Sequence, residues 1–209
     1  MPLYTGQAVQ NSAYDFGIQA FRIARLVLIA EMLNEDTLAE QGRTWLRTNL
    51  VARLANGASN PLNYDQRFGG VITNLGITGN VNNGVNGLYD GHHYDYGYFV
   101  YAAAVLGKND AAFLTANTDA LVALVRDYAS PSATDQFFIQ ARQKDWYAGN
   151  SWSNGLKEDP FNRFAQSVSE AVNAYHAVVL LGTVLNDQEL VDWGRLLLAH
   201  EIRGLQKYI

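Results

Sequence analysis

Apolar residues recur along the chain at the spacing of amphipathic helices, three or four positions apart. In the first such segment, Phe16, Ile23 and Val27 fall on one stripe. Six segments carry this pattern and follow one another in pairs: residues 16–33 and 37–54, residues 96–106 and 111–128, and residues 167–185 and 188–206. Short polar turns join the members of each pair, and no strand is strongly signalled. The pattern therefore predicts an all-α fold built of αα-hairpins.

Two long irregular stretches, residues 55–92 and 130–165, separate the predicted hairpins. Loops longer than about 12–15 residues are uncommon in compact domains unless they have a function. Each stretch leads into the first helix of the next pair, so hairpins stacked side by side would bring both stretches to the same end. The spacing of the elements favours an αα-hairpin toroid in which the starts of the inner helices face a common cleft. Asn109 or Asp110 lies where it can cap the second helix of the middle pair.

Composition and charge remove several classes of function. The net charge of −5 and the lack of any basic run argue against nucleic acid as a partner. Cysteine is absent, which excludes disulfides and thiolate metal sites. The longest apolar stretches, residues 26–30 and 177–181, are far too short to cross a membrane, so we expect no membrane partner. Residues 1–10 lack the features of a signal peptide, which leaves the localisation unknown.

Histidine, aspartate and aromatic residues are concentrated at the entrance to the third predicted helix, in the string YDGHHYDYGYF. By residue type, His92 and His93 with Asp90 and Asp95 would suit a metal ion. Adjacent histidines in an extended segment point to opposite sides, however, and no helical Glu/His spacing completes a site. The GxSxG turn that presents a serine nucleophile is also missing. We therefore expect neither a metal nor another cofactor.

Glu170 lies near the start of a helix whose other residues are largely apolar. By helical spacing it shares a face with Gln166, Asn173 and Ala177, so a polar strip leads into the apolar one. A carboxylate inside such a helix is costly unless it has a partner or a chemical role. A solvated helix face is the alternative. Carboxylates flanked by aromatic, glycine-rich loops are typical of sites that cleave glycosidic bonds.

Three segments resemble, in their order and approximate spacing, signature segments of glycoside hydrolase family 81. They are residues 89–107, 145–155 and 166–182, and further similarity lies in residues 22–33, 61–70 and 201–209. Members of that family are endo-β-1,3-glucanases (laminarinases) whose catalytic domain is an (α/α)6 barrel. The resemblance implies that residues 1–209 form a single all-α domain, about half of such a barrel.

The resemblance implies single-displacement hydrolysis with inversion, in which an aspartic acid protonates the departing oxygen and a glutamate activates a water. This chain differs from the family motifs at the carboxylates themselves. In the first segment the family's acid falls on Gly91, its asparagine on Asp90 and its second histidine on Asp95. The family's first glutamate falls on Gln166, whereas the second is retained as Glu170. The resemblance therefore implies Glu170 as base or water-positioning group, with Asp90 or Asp95 as the best remaining acid.

Other positions in the similar segments are candidates for substrate binding, through hydroxyl contacts or through aromatic rings stacked on sugar faces. Core packing, turn formation and helix capping are the alternative roles of these residues. The candidates are Asp65, His92, His93, Tyr94, Asp95, Tyr96, Asp145, Trp146, Tyr147, Asn150, Trp152 and Asn173.

Two functions fit these observations. The first is hydrolysis of β-1,3-glucan, an oligo- or polysaccharide, and the resemblance places such enzymes outside the cell or in the cell wall. The second is a catalytically impaired β-1,3-glucan-binding protein or fragment, because Gly91 and Gln166 replace family carboxylates. Half a barrel would expose the apolar flanks of its helices, so a homo-oligomer or the absent half would have to cover them.

Overall fold

The computed structural model describes residues 7–55, 57, 59–78, 84–156 and 167–208. Helices dominate these residues, and one short β-hairpin interrupts them. The elements in chain order are α1 (Ala13–Met32), α2 (Asp36–Leu54), β1 (Leu62–Asp65), β2 (Gly70–Thr73), α3 (Asn74–Ile77), α4 (Gly84–Gly87), α5 (His92–Gly107), α6 (Ala111–Ala129), α7 (Val168–Leu185) and α8 (Gln188–Tyr208). The predicted all-α class is confirmed.

The long helices pack in two layers. In the inner layer α1, α5 and α7 lie side by side, and α2, α6 and α8 each pack against the inner helix that precedes them. Phe16 contacts Phe99 and Phe21 contacts Tyr101, with ring centroids 5.0 and 4.7 Å apart, so α1 and α5 run parallel. Along α5 and α7, Tyr94 contacts Ser167 and Tyr101 contacts His176, so these two helices are parallel as well. The N-terminal ends of the inner helices therefore lie at one end of the fold, whereas closure into a toroid stays a prediction.

Helix α5 is buried along its whole length, because α1, α6 and α7 cover it. A Cβ atom on Gly97 would lie 2.7 Å from the Cα atom of Ala174, so glycine permits the close approach of α5 to α7. The helix begins at His92, four residues before the predicted start, and the adjacent histidines lie in a helical turn instead of an extended segment. Histidine, tyrosine and aspartate fill that turn and carry no apolar periodicity, which is why the pattern missed it.

The β-hairpin lies in the first long irregular stretch, where no strand was expected. Strands β1 and β2 pair antiparallel, with Asp65 opposite Gly70. The hairpin docks on the inner layer through Val71, whose carbonyl accepts a hydrogen bond of 2.6 Å from the Tyr96 hydroxyl. The irregular stretch is therefore fixed to the start of α5.

Helix α7 has the length and the mean hydropathy, 1.4 over 18 residues, of a membrane-spanning helix. Core helices often meet the same criteria, and α7 packs between α5 and α8. The expectation that the chain has no membrane partner stays a prediction.

His92 anchors the start of α5 to α6. Its Nδ1 atom lies 2.6 Å from a carboxylate oxygen of Asp127, and its Nε2 atom lies 2.7 Å from the Asn86 carbonyl oxygen. The other Asp127 oxygen accepts a hydrogen bond of 2.7 Å from the backbone N–H of Val71. Burial by itself lowers the pKa of His92, but the charge and the hydrogen bond of Asp127 outweigh it, and the pKa is raised. A fully buried ion pair thus joins two helices and the β-hairpin.

Asp127→Asn is expected to lower the free energy of unfolding by about 3 kcal/mol, because His92 would keep its burial and lose the charge that faces it. Since the pKa of His92 is raised in the folded protein, the pair stabilises fully below the ordinary histidine pKa of about 6.5. This contribution is lost as the pH rises through the raised value. Urea unfolding at about pH 6 and about pH 9 should therefore show the larger difference between wild type and variant at the lower pH.

Asp119→Asn is the matched control, because Asp119 lies on the same helix and is exposed. This substitution should change the free energy of unfolding by less than about 0.5 kcal/mol. Equal losses in the two variants would show that the buried pair does not anchor α5.

Candidate active site

Glu170 lies where the three inner helices meet. It is half-buried in the first turn of α7, and its Oε1 atom accepts two hydrogen bonds. The Tyr14 hydroxyl on α1 donates one at 2.8 Å, and the Tyr98 hydroxyl on α5 donates the other at 2.7 Å. Among the residues that the structure describes, none donates a hydrogen bond to Oε2. The carboxylate therefore has fixed partners on one oxygen, unlike an acidic group on a solvated helix face.

Both tyrosine hydroxyls are held in their protonated, donating form. Burial raises the pKa of Tyr14 and of Tyr98 well above the usual tyrosine value, and the hydrogen bond to Glu170 adds to the effect in each case. The charge of Asp95 also contributes to the raised pKa of Tyr14. Asp95 and Glu170 lie in the first turns of α5 and α7, whose N-terminal ends lie at the same end of the inner layer.

Asp95 is a buried carboxyl group in the first turn of α5. One of its oxygens accepts a hydrogen bond of 2.8 Å from the Asn86 side-chain amide. Burial raises the pKa of Asp95 to about 7, and the charge of Asp90 adds to this, while the charge of His92 and the Asn86 hydrogen bond oppose it. A carboxyl group with this pKa can hold a proton and release it near neutral pH.

Gly91 and Asp90 precede α5. Gly91 is the N-cap residue, with φ 66° and ψ 19° in the left-handed region. Its N–H donates to the Ser153 carbonyl at 2.8 Å, which ties the helix start to the second long stretch. Glycine offers no acid at this position, and Asp90 beside it is half-buried. Gln166, the other replaced carboxylate position, lies outside the described residues.

The ring side chains that follow Gly91 are buried in the first turns of α5. His93 is fully buried next to Tyr94, with ring centroids 3.9 Å apart, and burial lowers its pKa to about 3. Within the described part of the chain, neither ring nitrogen of His93 has a hydrogen-bond partner. Tyr94 accepts a hydrogen bond of 3.1 Å from the Ser167 N–H. His92, His93 and Tyr96 have no accessible surface, which argues against direct contact between these three residues and a ligand, whereas Tyr94 and Asp95 keep 5% and 6% of theirs.

Most polar candidates in the two long irregular stretches accept hydrogen bonds from other residues of those stretches and so fix the course of the backbone there. Asp65 accepts hydrogen bonds of 2.9 Å from the Tyr89 hydroxyl and from the Arg67 N–H. Asp145 accepts one of 2.9 Å from the Trp152 indole N–H, and its other oxygen accepts from two backbone N–H groups that follow. Two other candidates differ in burial: Asn150 is buried, and Asn173, one turn after Glu170, is half-buried.

Trp146 and Tyr147 are the exposed aromatic candidates, with 45% and 98% of their surface accessible. The Trp146 ring lies against Trp193 and His200, with centroids 6.0 and 5.5 Å away. Both of those residues are on α8, in the outer layer. The structure therefore places Trp146 on a different layer from Glu170 and does not bring the two together.

Two groups of residues at this end of the fold were not anticipated. Tyr14 precedes the predicted start of the first helix, and a tyrosine that begins a helix carries no local signal of its partner on α7.

The buried pair of Lys144 and Glu201, 2.6 Å apart, attaches the second long stretch to α8. Ser151 joins it through a hydrogen bond of 2.8 Å to the Glu201 carboxylate. Only the similarity of residues 201–209 to a known family hinted at the role of Glu201.

Comparison with known proteins identifies the family. A sequence profile described as the glycosyl hydrolase family 81 C-terminal domain matches residues 4–209. A glucan endo-1,3-beta-D-glucosidase of Glycine max is 35% identical over 200 residues, and the primary septum glucan endo-1,3-beta-D-glucosidase of Schizosaccharomyces pombe is 34% identical over 203. Each match covers 95% of this chain, but only 30% and 20% of those two proteins respectively.

The fold is shared with a solved structure of a family 81 glycoside hydrolase from Clostridium thermocellum, determined as a mutant. The TM-score is 0.85 at 25% sequence identity, over 96% of this chain and 28% of that one. This chain thus spans less than a third of the length of the relatives it matches. Profile, sequence identity and fold agree, and the chain belongs to glycoside hydrolase family 81.

Proposed function

We propose that this chain carries the catalytic carboxyl groups of an inverting endo-β-1,3-glucan hydrolase, with Glu170 as the base. The observation that carries the proposal is the pair of hydrogen bonds that Tyr14 and Tyr98 donate to one oxygen of Glu170, where the inner helices meet. Membership of family 81 and the names of the relatives support β-1,3-glucan as the substrate. The net charge of −5 supports a partner other than nucleic acid.

The proposed reaction is a single displacement by water. The Oε2 atom of Glu170 accepts a proton from water while that water attacks the anomeric carbon of the glucan. The bond from that carbon to the glycosidic oxygen breaks on the opposite face, and the departing oxygen receives a proton from the acid. One water is consumed and two shorter glucans result, with inverted configuration at the anomeric carbon. The attacking water needs room, which inverting enzymes provide by keeping the two carboxyl groups about 6.5–9.5 Å apart.

We assign the acid to Asp95 in preference to Asp90. A general acid must hold its proton near the working pH, and burial raises the pKa of Asp95 to about 7. Asp90 is half-buried, and its negative charge adds to the raised pKa of Asp95. Asp90 would then assist the acid through its charge without donating the proton itself.

The alternative function is binding of β-1,3-glucan without hydrolysis. Gly91 favours it, because the position that carries the acid in the family has no side chain here. The exposed rings of Trp146 and Tyr147 remain available for stacking on sugar in either case.

The architecture that accompanies this proposal is about half of an (α/α)6 barrel. Its support is the parallel inner layer of α1, α5 and α7, each backed by an outer helix. Either a second copy of the chain or the remaining half of a barrel would cover the flanks of α1 and α7.

Glu170→Gln and Asp95→Asn should each lower the rate of laminarin hydrolysis by about 10²–10⁴, because each removes a proton-transfer group and keeps the side-chain shape. Release of reducing ends by the purified chain measures the rate, and laminarin binding is measured in parallel. Asp90→Asn should retain more activity than Asp95→Asn, and the exposed Asp119→Asn is the control. A wild-type chain that binds laminarin and releases no reducing ends would favour the binding function.

The pH dependence of kcat should report the acid. Hydrolysis requires Asp95 to be protonated, and its pKa is raised to about 7, so kcat should fall as the pH rises through about 7. A profile measured with saturating laminarin checks this. If kcat stays constant well above neutral pH, the acid is a different group.

In the Asp95→Asn background, Gly91→Asp should raise the hydrolysis rate above that of Gly91→Asn by about 10²–10⁴, because the aspartate then restores a proton donor that the site otherwise lacks. Asparagine is the matched control, since both residues tolerate the left-handed region at a similar cost of about 1 kcal/mol. A Cβ atom at this position would lie 3.1 Å from a ring carbon of Tyr94, which requires only a small shift of that ring. Equal rates in the two variants would show that position 91 no longer faces the departing oxygen.

A further inference from the structure

We infer that Tyr14 is a positioning residue, which acts with Tyr98 to fix the orientation of the Glu170 carboxylate. The inference rests on the proposed function for its kinetic consequence, but the contact itself does not depend on that function. Tyr14 lies outside the segments that resemble the family, whereas Tyr98 lies inside the first of them, where core packing or stacking on sugar is its expected role.

Two donors on one oxygen constrain a carboxylate more than one donor can. The last torsion of a glutamate side chain is broad, so a single hydrogen bond to Oε1 leaves the carboxylate plane free to turn about that contact. Tyr14 and Tyr98 approach Oε1 from separate helices, at 2.8 and 2.7 Å. Together they hold Oε1 on the inner layer and leave Oε2 as the oxygen that can face a water molecule.

The position of the Tyr14 hydroxyl is set by the start of α1. The Ser12 side chain caps this helix by accepting a hydrogen bond of 3.0 Å from the Asp15 N–H, so the turn that carries Tyr14 is fixed. The Tyr14 ring lies edge-on to the Tyr98 ring, with centroids 6.3 Å apart. The raised pKa of Tyr14 keeps its hydroxyl a donor throughout the working pH range.

The two tyrosines differ in burial, and this difference decides which of them to replace in a test. Tyr98 is buried, with its ring centroid 5.0 Å from that of Phe21, so its replacement would also disturb the core. Tyr14 is 40% exposed, and the hydrogen bond that its hydroxyl donates goes to Glu170. Removal of the Tyr14 hydroxyl is therefore the cleaner test of positioning.

The test is Tyr14→Phe, alone and combined with Glu170→Gln. Loss of one hydrogen bond to a charged group should lower kcat for laminarin about 10- to 100-fold, with KM changed less than about twofold, because binding does not need the aligned carboxylate. In the Glu170→Gln background the same substitution should leave the residual rate nearly unchanged. A purely structural role for Tyr14 would lower the rate in both backgrounds.

Tyr64→Phe is the matched control. Tyr64 is 41% exposed, and its hydroxyl donates a hydrogen bond to the Phe137 carbonyl oxygen, away from Glu170. It should leave kcat and KM unchanged. Urea unfolding of the single and double variants supplies a second readout. For Tyr14 with Glu170, the effect of the double variant on the unfolding constant should differ by more than about threefold from the product of the two single effects. For Tyr64 with Glu170 it should not.

The two readouts separate the positioning inference from the proposed function. Coupling in unfolding with no hydrolysis by the wild type would overturn the hydrolase proposal and leave the contact between Tyr14 and Glu170 standing. Hydrolysis by the wild type with kcat unaffected by Tyr14→Phe would overturn the positioning role. Additive unfolding constants would overturn the contact itself.

Discussion

Helix α5 is buried on every side, so the polar side chains of its first turn depend on hydrogen-bond partners inside the protein, and among the described residues His93 alone in that turn lacks one. His92 meets this requirement with Asp127 and the Asn86 carbonyl, and Asp95 meets it with the Asn86 side chain. Asn86 comes from the first long irregular stretch, so that stretch cannot be rearranged without leaving buried polar atoms unpaired. The placement of Asn86 is thus a consequence of the burial of the helix.

The same burial produces the chemistry of the site. Removal from water is the largest cause of the raised pKa values of Asp95, Tyr14 and Tyr98. It places a protonated carboxyl group near neutral pH on α5 and two protonated hydroxyls against Glu170. Glu170 itself stays half-buried and within reach of water. In the proposed roles of Asp95 and Glu170, the proton donor and the proton acceptor therefore arise from one physical cause acting to different degrees.

Periodicity located the hairpins because each helix buries one apolar stripe, as Phe16 and Val27 do on α1. Local chemistry located the Asp110 cap, whose carboxylate accepts from the Phe113 N–H. Glu170 has hydrogen-bond partners, which is one of the alternatives that its place in an apolar helix left open. The partners could not be predicted, since Tyr14 lies 156 positions away along the chain and only the packing of α1 beside α7 brings them together. The burial of His93 and the place of Trp146 on the outer layer likewise depend on contacts between distant segments.

If Asp95 is the acid where the family resemblance implies one at position 91, the geometry of catalysis changes as well as its chemistry. Asp95 lies about one helical turn after Gly91, the left-handed N-cap residue of α5, which corresponds to a rise of about 6 Å. Position 95 is also the nearer along the helix to Tyr98, which contacts Glu170, so an acid there lies closer to the level of the base. Inverting hydrolysis tolerates a range of only about 3 Å in the separation of the carboxyl groups, because the water must fit between the base and the sugar. If Asp95 serves as the acid, inversion therefore requires the Asp95 and Glu170 carboxyl groups to keep a separation in that range, with the water and the sugar between them.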